Sequence, residues 1–163
     1  MIKKILLSLI FLTFFNDNSY SLEWKQHTKK DEFKGTSFDY IASEPVKPNT
    51  KLEFPYQSMT ARMIKYCEHL NKYIVIAFNM NPNLVGGQLD SNLISRHAVD
   101  IKLDGKFDTY DGEIESNSQF FVIKNNDVAK MSNSKEFMIQ FKHYAGTRHY
   151  KFDLSSMPKE CKK

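Results

Sequence analysis

Residues Val99–Gly105 have the sequence Val-Asp-Ile-Lys-Leu-Asp-Gly, which combines strict alternation with a turn signal. Apolar Val99, Ile101 and Leu103 alternate with charged residues, a period of two that is typical of a strand with one buried face. The Asp104-Gly105 pair then predicts a tight hairpin turn, because glycine accepts the positive φ that such a turn requires. The stretch therefore predicts an antiparallel hairpin formed by strands over Leu93–Leu103 and Phe107–Glu115.

The same alternation recurs along the rest of the chain and is rich in aromatic and branched side chains. It predicts further strands over Leu22–His27, Thr36–Ser43, Arg62–Leu70, Tyr73–Asn79, Gln119–Ile123, Phe137–Tyr144 and Arg148–Leu154. Strands therefore outnumber helices. The predicted fold class is mostly β, an antiparallel β-sandwich or partly open barrel with short helices and one disulfide.

Two of the predicted hairpins have a register that can be derived from the sequence. A tight turn at Asn71-Lys72 would place Cys67 opposite Ile76. In the last hairpin the apolar side chains must share one face, which places Phe141 opposite Tyr150.

Two short helices are expected beside the strands. One would be capped by Asn126 or Asp127, whose side-chain oxygens can accept hydrogen bonds from the first free amide groups. The other would begin at Ser155 or Ser156 and carry Cys161.

The N-terminal segment has the three parts of an export signal. Two lysines give a positive start, residues 5–15 form an apolar run, and Ser19 and Ser21 place small side chains ahead of Leu22. A stable membrane anchor would need roughly twenty apolar residues, so this run is too short. We therefore expect residues 1–21 to be a cleaved signal peptide and residues 22–163 to form one domain, periplasmic or secreted.

The charge of the chain argues against nucleic acid as a partner. The formal net charge of +4 falls to about +3 without residues 1–21, which contain two lysines and one aspartate, and both signs are interspersed. A nucleic-acid interface would instead cluster lysine and arginine on one face.

Both cysteines, Cys67 and Cys161, lie in the expected domain. An even number of cysteines in an exported chain predicts a disulfide, because the compartment oxidises thiols. The bridge would also fasten the C-terminus to an earlier hairpin.

Sequence motifs of known catalytic sites are absent, among them Gly-x-Ser-x-Gly, His-Glu-x-x-His, a glycine-rich phosphate loop and Cys-x-x-Cys. We therefore expect neither enzymatic activity nor a cofactor. A hydrolase built from dispersed residues is an alternative, which predicts a concave pocket with at least two carboxylates or a histidine of shifted pKa.

No metal site is expected either. The register of the last hairpin directs His143 and His149 to opposite faces, so the two imidazoles cannot share an ion. A run of acidic residues lacks the Asp-x-Asp-x-Asp-Gly spacing of a calcium loop. We expect this run to lie on the solvent face of a strand: Asp104, Asp108, Asp111, Glu113 and Glu115.

Aromatic residues are the candidates for a binding surface, since aromatic side chains and arginine dominate the energetics of interfaces. The segment Lys51–Tyr56, which Pro55 interrupts, is the part of this set most expected to be exposed. The residues predicted for the surface are Phe54, Tyr56, Tyr110 and Tyr144.

Several features in order resemble the VasI-like accessory proteins of type VI secretion. They are Trp24, Asp31, a strand ending near Ala42, Lys65-Tyr66-Cys67, Val99–Gly105, and Phe152-Asp153-Leu154-Ser155 before Cys161. The family has an arginine where this chain has Lys65, and a closing glycine where it has Ser156. The resemblance implies an exported β-domain with a non-enzymatic, periplasmic accessory role, and it assigns no site residue.

The function expected from the sequence is that of an exported binding or accessory protein with a protein partner in the bacterial cell envelope. The alternative is a periplasmic inhibitor, or an immunity or exclusion protein, that acts on a lysozyme-like enzyme, a toxin or a phage. Small, exported, disulfide-linked domains serve both roles.

Overall fold

The computed structural model of the protein describes residues 23–32, 35–69, 73–124, 130–131 and 133–161. These residues include a 3₁₀ helix at Cys67–His69 and ten strands: β1 (Trp24–Asp31), β2 (Thr36–Ser43), β3 (Ala61–Tyr66), β4 (Tyr73–Phe78), β5 (Gln88–Leu89), β6 (Ile94–Leu103), β7 (Lys106–Glu115), β8 (Phe120–Lys124), β9 (Glu136–His143) and β10 (Gly146–Asp153). The predicted signal peptide, the Asn71-Lys72 turn and the helix cap at Asn126 or Asp127 lie outside the described residues.

One antiparallel sheet connects the strands in the order β1-β2-β3-β4-β8-β7-β6-β9-β10, and β5 pairs with β6. The sheet is not closed into a barrel, and it carries one disulfide. The predicted mostly-β, antiparallel fold class is therefore confirmed. The Asp104-Gly105 hairpin is confirmed as well: both residues have positive φ, and Leu103 pairs with Lys106.

The two edges of the sheet are joined by a set of contacts that we call the seam. The indole Nε1 of Trp24 in β1 donates a hydrogen bond to the carbonyl of Asp153 at the end of β10, over 2.9 Å. The segment after β2 also lies along β10, where Asn49 N donates to the His149 carbonyl and His149 N donates to Asn49 Oδ1, each over 3.0 Å. The sheet thus curves until these contacts, and not strand pairing, connect its first and last strands.

The core lies on the inner face of this curved sheet. Alternation along β9 and β10 directs Phe137, Ile139, Phe141, Tyr150 and Phe152 inward, and all five are completely buried. Their burial follows from the period of two that the sequence shows.

The register of the last hairpin differs from the prediction. Arg148, not Tyr150, lies opposite Phe141, and Tyr150 pairs with Ile139. The turn consists of Tyr144 and Ala145, and Gly146 after it has a φ of 107°. A shift of two residues leaves every side chain on its predicted face, which is why the apolar pattern alone could not detect it.

The register of the earlier hairpin was also predicted wrongly. Ile76 lies opposite Met63 because β3 ends at Tyr66 and Cys67 begins the 3₁₀ helix. The disulfide itself is confirmed: Cys67 is bonded to Cys161, with a Cα–Cα distance of 5.8 Å. Both cysteines pack against the main core.

The predicted C-terminal helix is absent from residues 154–161, which form turns and bends. Ser155 does not cap a helix. Instead its amide and hydroxyl both donate hydrogen bonds to Asp153 Oδ1, which closes a local turn. Buried Leu154 and Met157 hold this segment on the core.

An aromatic cluster surrounds a buried histidine. The ring of Phe141 packs edge-on against Phe78 and Phe121, with centroid distances of 5.3 and 4.9 Å. Beside them, His143 Nδ1 donates to the Pro82 carbonyl over 2.9 Å, so Nε2 accepts from the Tyr150 hydroxyl over 3.3 Å. This arrangement holds the imidazole as the neutral tautomer.

We expect stability to fall as the pH decreases from about 7 toward 5.5. Burial lowers the pKa of both His143 and His97 from the ordinary 6.5. Below pH 6.5 the unfolded chain binds protons that the folded chain does not, so each histidine costs up to about 1.4 kcal/mol per pH unit. Urea unfolding at pH 7.5 and 5.5 measures the loss. The His143→Gln variant should show a smaller loss between these pH values than the parent protein, and an equal loss would contradict the assignment.

Candidate functional site

The sequence-predicted surface lies at one end of the sheet, which we call the loop end (residues 44–60, 79–87 and 144–145). Hydrogen bonds connect these loops. Asn79 Nδ2 donates to the Ser58 carbonyl over 3.0 Å, and Tyr144 N donates to the Asn83 carbonyl over 2.9 Å. The loops are therefore fixed to one another.

Two of the predicted residues are highly exposed at the loop end. Phe54 is 83% exposed and Tyr144 is 81% exposed, and Val85 is also exposed. The amide of Val85 donates to the Lys142 carbonyl over 2.8 Å, two residues before Tyr144. Tyr56 N donates to the Glu53 carbonyl over 2.8 Å, which holds the turn that carries Phe54. Exposed large apolar side chains that together form one contiguous patch are typical of a surface that a partner covers.

Tyr56 has a different position from its neighbours. It is half-buried against the main core, and its hydroxyl accepts a hydrogen bond from Asn83 Nδ2. Tyr56 therefore connects two loops of the loop end and positions Phe54, which lies two residues away.

Tyr110 does not belong to this surface. It is 2% exposed in the middle of β7, where alternation directs it inward together with Gly112 and Ile114. The prediction that Tyr110 contributes to a binding surface is wrong, because its face of the strand is the core face.

A second aromatic region, which the sequence reasoning missed, lies on the outer face of the sheet. We call it the aromatic face: His27, Phe38, Tyr40, Tyr66 and Tyr73. The rings of Tyr40 and Tyr66 lie 6.2 Å apart on paired strands, and His27 stacks on Tyr40 at 5.1 Å. Apolar side chains on both faces of β2 were the signal, since Ile41 faces the core while Phe38 and Tyr40 face outward.

A groove of about 240 Å³ opens at one end of the aromatic face. Five residues line it, three of them aromatic: Phe38, Tyr66, Tyr73, Asp39 and Glu68. Burial raises the pKa of the Tyr66 hydroxyl, and the neighbouring Tyr73 and Tyr40 add to this effect.

A larger polar cleft, of about 620 Å³, lies over β6 and β7. Asp111, Glu113 and His97 line it, which is the combination that the hydrolase alternative requires. Glu113, however, forms an ion pair with Arg96, with 3.4 Å between Arg96 Nε and Glu113 Oε1. Asp111 is an exposed residue on the outer face of β7.

The histidine of this cleft is held by its own surroundings. His97 Nε2 lies 2.9 Å from Ser95 Oγ, and the ring also forms a hydrogen bond with the backbone of Val85. A Cβ at Gly87 would lie 2.4 Å from His97 Nε2, so the backbone of Gly87 covers the pair.

The remaining candidate ligands lie apart. The rings of His143 and His149 project to opposite faces, as predicted, because His143 faces the core and His149 pairs with Gln140 on the other face. Asp104 accepts hydrogen bonds from the amides of Lys135 and Glu136. Among the described residues, no three histidine, cysteine or acidic side chains are close enough to hold a metal ion.

Comparisons with protein families, with curated proteins and with solved structures found no match to this chain. Within the described ranges no helix has both the length and the apolar character needed to cross a membrane.

Proposed function

We propose that the protein is an exported, non-enzymatic binding protein that recognises a protein of the bacterial cell envelope through its loop end. The observation that carries this proposal is the exposure of Phe54 and Tyr144, each more than four-fifths exposed on loops that are fixed by hydrogen bonds. A rigid loop loses little conformational entropy on binding, so exposed aromatic side chains on it are efficient anchors.

Arginine adds to the same surface. Arg148 Nε donates to the Thr50 carbonyl over 3.1 Å, and Arg148 Nη1 donates to the Thr147 carbonyl over 2.7 Å. Aromatic residues and arginine are the types most enriched at interface hot spots. Both types are therefore present where Arg148 of β10 is hydrogen-bonded to Thr50 of the loop end.

The proposed location, periplasmic or secreted, is supported by the Cys67–Cys161 disulfide. Disulfides persist in oxidising compartments and are rare where thiols are kept reduced. The resemblance to VasI-like accessory proteins supports a partner in an envelope secretion system. The alternative partner is a lysozyme-like enzyme, a toxin or a phage protein, which the same surface would inhibit.

We expect the Phe54→Ala/Tyr144→Ala variant to lose its envelope partner. Truncating a hot-spot aromatic residue costs about 2 kcal/mol or more, which corresponds to about a 30-fold weaker interaction. The measurement is affinity capture from envelope extract with the full chain, exported and purified. The captured protein is then titrated against the parent protein and against the double variant.

Phe107→Ala is the matched control, because Phe107 is 72% exposed on the hairpin at the opposite end of the sheet. It should retain the partner. Equal binding by the double variant and the parent protein would refute the loop end as the recognition surface. Recovery of secretion-system components would support the accessory role, whereas recovery of a murein hydrolase or toxin would favour the inhibitor.

A further inference from the structure

We propose that the groove at the end of the aromatic face binds an alkylammonium group, the cationic part of a small organic ligand. The groove is a site separate from the loop end: its aromatic lining belongs to β2, β3 and β4, at the ends of these strands next to the 3₁₀ helix. The proposal does not rest on the envelope partner proposed above.

The rings that line the groove form a preorganised row. Phe38 and Tyr66 lie 5.6 Å apart and are tilted by 52°, and Tyr66 and Tyr73 lie 5.9 Å apart and are tilted by 54°. Each ring is supported by its neighbour and by a hydrogen-bonded strand. A tilted row presents several partial ring faces to one small volume, whereas a sugar ring stacks on one flat, open ring face.

The charge of the groove favours a cation. The face of an aromatic ring carries negative potential, which attracts ammonium groups. The acidic residue Glu68, which is exposed, lines the same groove. Lys29 pairs with Phe38 across β1 and β2 but is exposed and does not line the groove.

The size of the groove limits its ligand to a headgroup. Its volume of about 240 Å³ is below the roughly 300 to 1,000 Å³ of pockets that enclose a whole drug-sized molecule. An ammonium group with its methyl or methylene substituents fits this description: the substituents contact the rings of Phe38, Tyr66 and Tyr73, and the charge lies close to Glu68.

The test compares choline with 3,3-dimethylbutan-1-ol, which has the same shape without the charge. Titration of the full chain, followed by NMR shifts of the groove residues, should show saturable choline binding. The neutral compound should bind at least about tenfold more weakly, since the charge supplies the attraction to the rings and to Glu68. Equal binding of both compounds, or no saturation by choline, would overturn the proposal.

Two variants locate the binding. Glu68→Gln removes an exposed charge with little change in shape and should weaken choline binding several-fold, whereas Glu115→Gln, an exposed carboxylate on β7, should leave it unchanged. Tyr66→Leu should abolish it, with thermal unfolding used to confirm that the variant is folded. Undiminished binding by Glu68→Gln, or binding of a chitooligosaccharide in place of choline, would overturn the assignment. The Phe54→Ala/Tyr144→Ala variant should bind choline normally, so this proposal and that of the loop end can fail separately.

Discussion

Removal of the Cys67–Cys161 disulfide is expected to lower the free energy of unfolding by about 4 to 5 kcal/mol. The two cysteines are 94 residues apart, so the bridge closes a loop that includes most of the sheet. In the chain-entropy account, the bridge restricts the unfolded chain much more than the folded one, in which both cysteines already pack against the core. The Cys67→Ala/Cys161→Ala variant tests this through urea unfolding under non-reducing conditions.

The reduced parent protein provides the control for this variant. Its free energy of unfolding in dithiothreitol should equal that of the double variant, and dithiothreitol should not affect the variant itself. For a loop of this length the entropic account predicts a loss of about 4 to 5 kcal/mol. It would be contradicted if the free energies of unfolding of the oxidised protein and the variant differed by less than about 2 kcal/mol. The predicted loss of about 4 to 5 kcal/mol is a large fraction of the roughly 5 to 15 kcal/mol that stabilises a typical domain.

The second large effect is expected at Phe121, whose ring lies on Gly112 of the neighbouring strand. Phe121 is completely buried, and its removal in Phe121→Ala should cost about 3 to 5 kcal/mol through lost burial and a cavity. Gly112→Ala should also destabilise, by about 1 to 3 kcal/mol, because the new Cβ would lie 2.1 Å from Phe121 Cζ. Urea unfolding of each variant gives both values.

A double-mutant cycle at these positions tests the contact itself. In Gly112→Ala/Phe121→Ala the new methyl group enters the space left by the ring, so the double variant should be more stable than the sum of the two single losses predicts. The discrepancy should be about 1 kcal/mol or more, as is usual for residues in direct contact. Additive losses would show that the ring does not occupy the space above Gly112.

The strands could be predicted from the sequence because alternation is a local property. Thr36–Ser43 was predicted with the bounds that the structure has, and the hairpin around Asp104-Gly105 was predicted from its turn residues. Registers depend on where each turn lies, and a shift by an even number of residues leaves the buried faces unchanged. That is why the pairing of Phe141 with Tyr150 was wrong while the inward face of both was right.

The candidate sites were predicted less well, because each depends on which face of a strand a residue occupies. Phe54 and Tyr144 lie in turns, where an aromatic side chain has no second strand to cover it, and both are exposed. Tyr110 lies in the middle of a strand, four residues before Ile114. The two side chains therefore share the buried face, and only this alternation shows that Tyr110 is buried. The groove was not foreseen, since it combines Phe38, Tyr66 and Tyr73 from three strands, and their meeting depends on sheet order.

The seam sets the order in which the domain can assemble and come apart. Its bonds join residues that are far apart in the chain, 129 positions for Trp24 and Asp153 and 100 for Asn49 and His149. Closing so large a loop is entropically costly until the intervening strands are paired, so the seam forms after the hairpins. By the same reasoning it is the first place to open, and the edges can separate while the central strands stay paired. We therefore expect the two edges of the sheet to separate at a lower free energy than the central strands require to unfold.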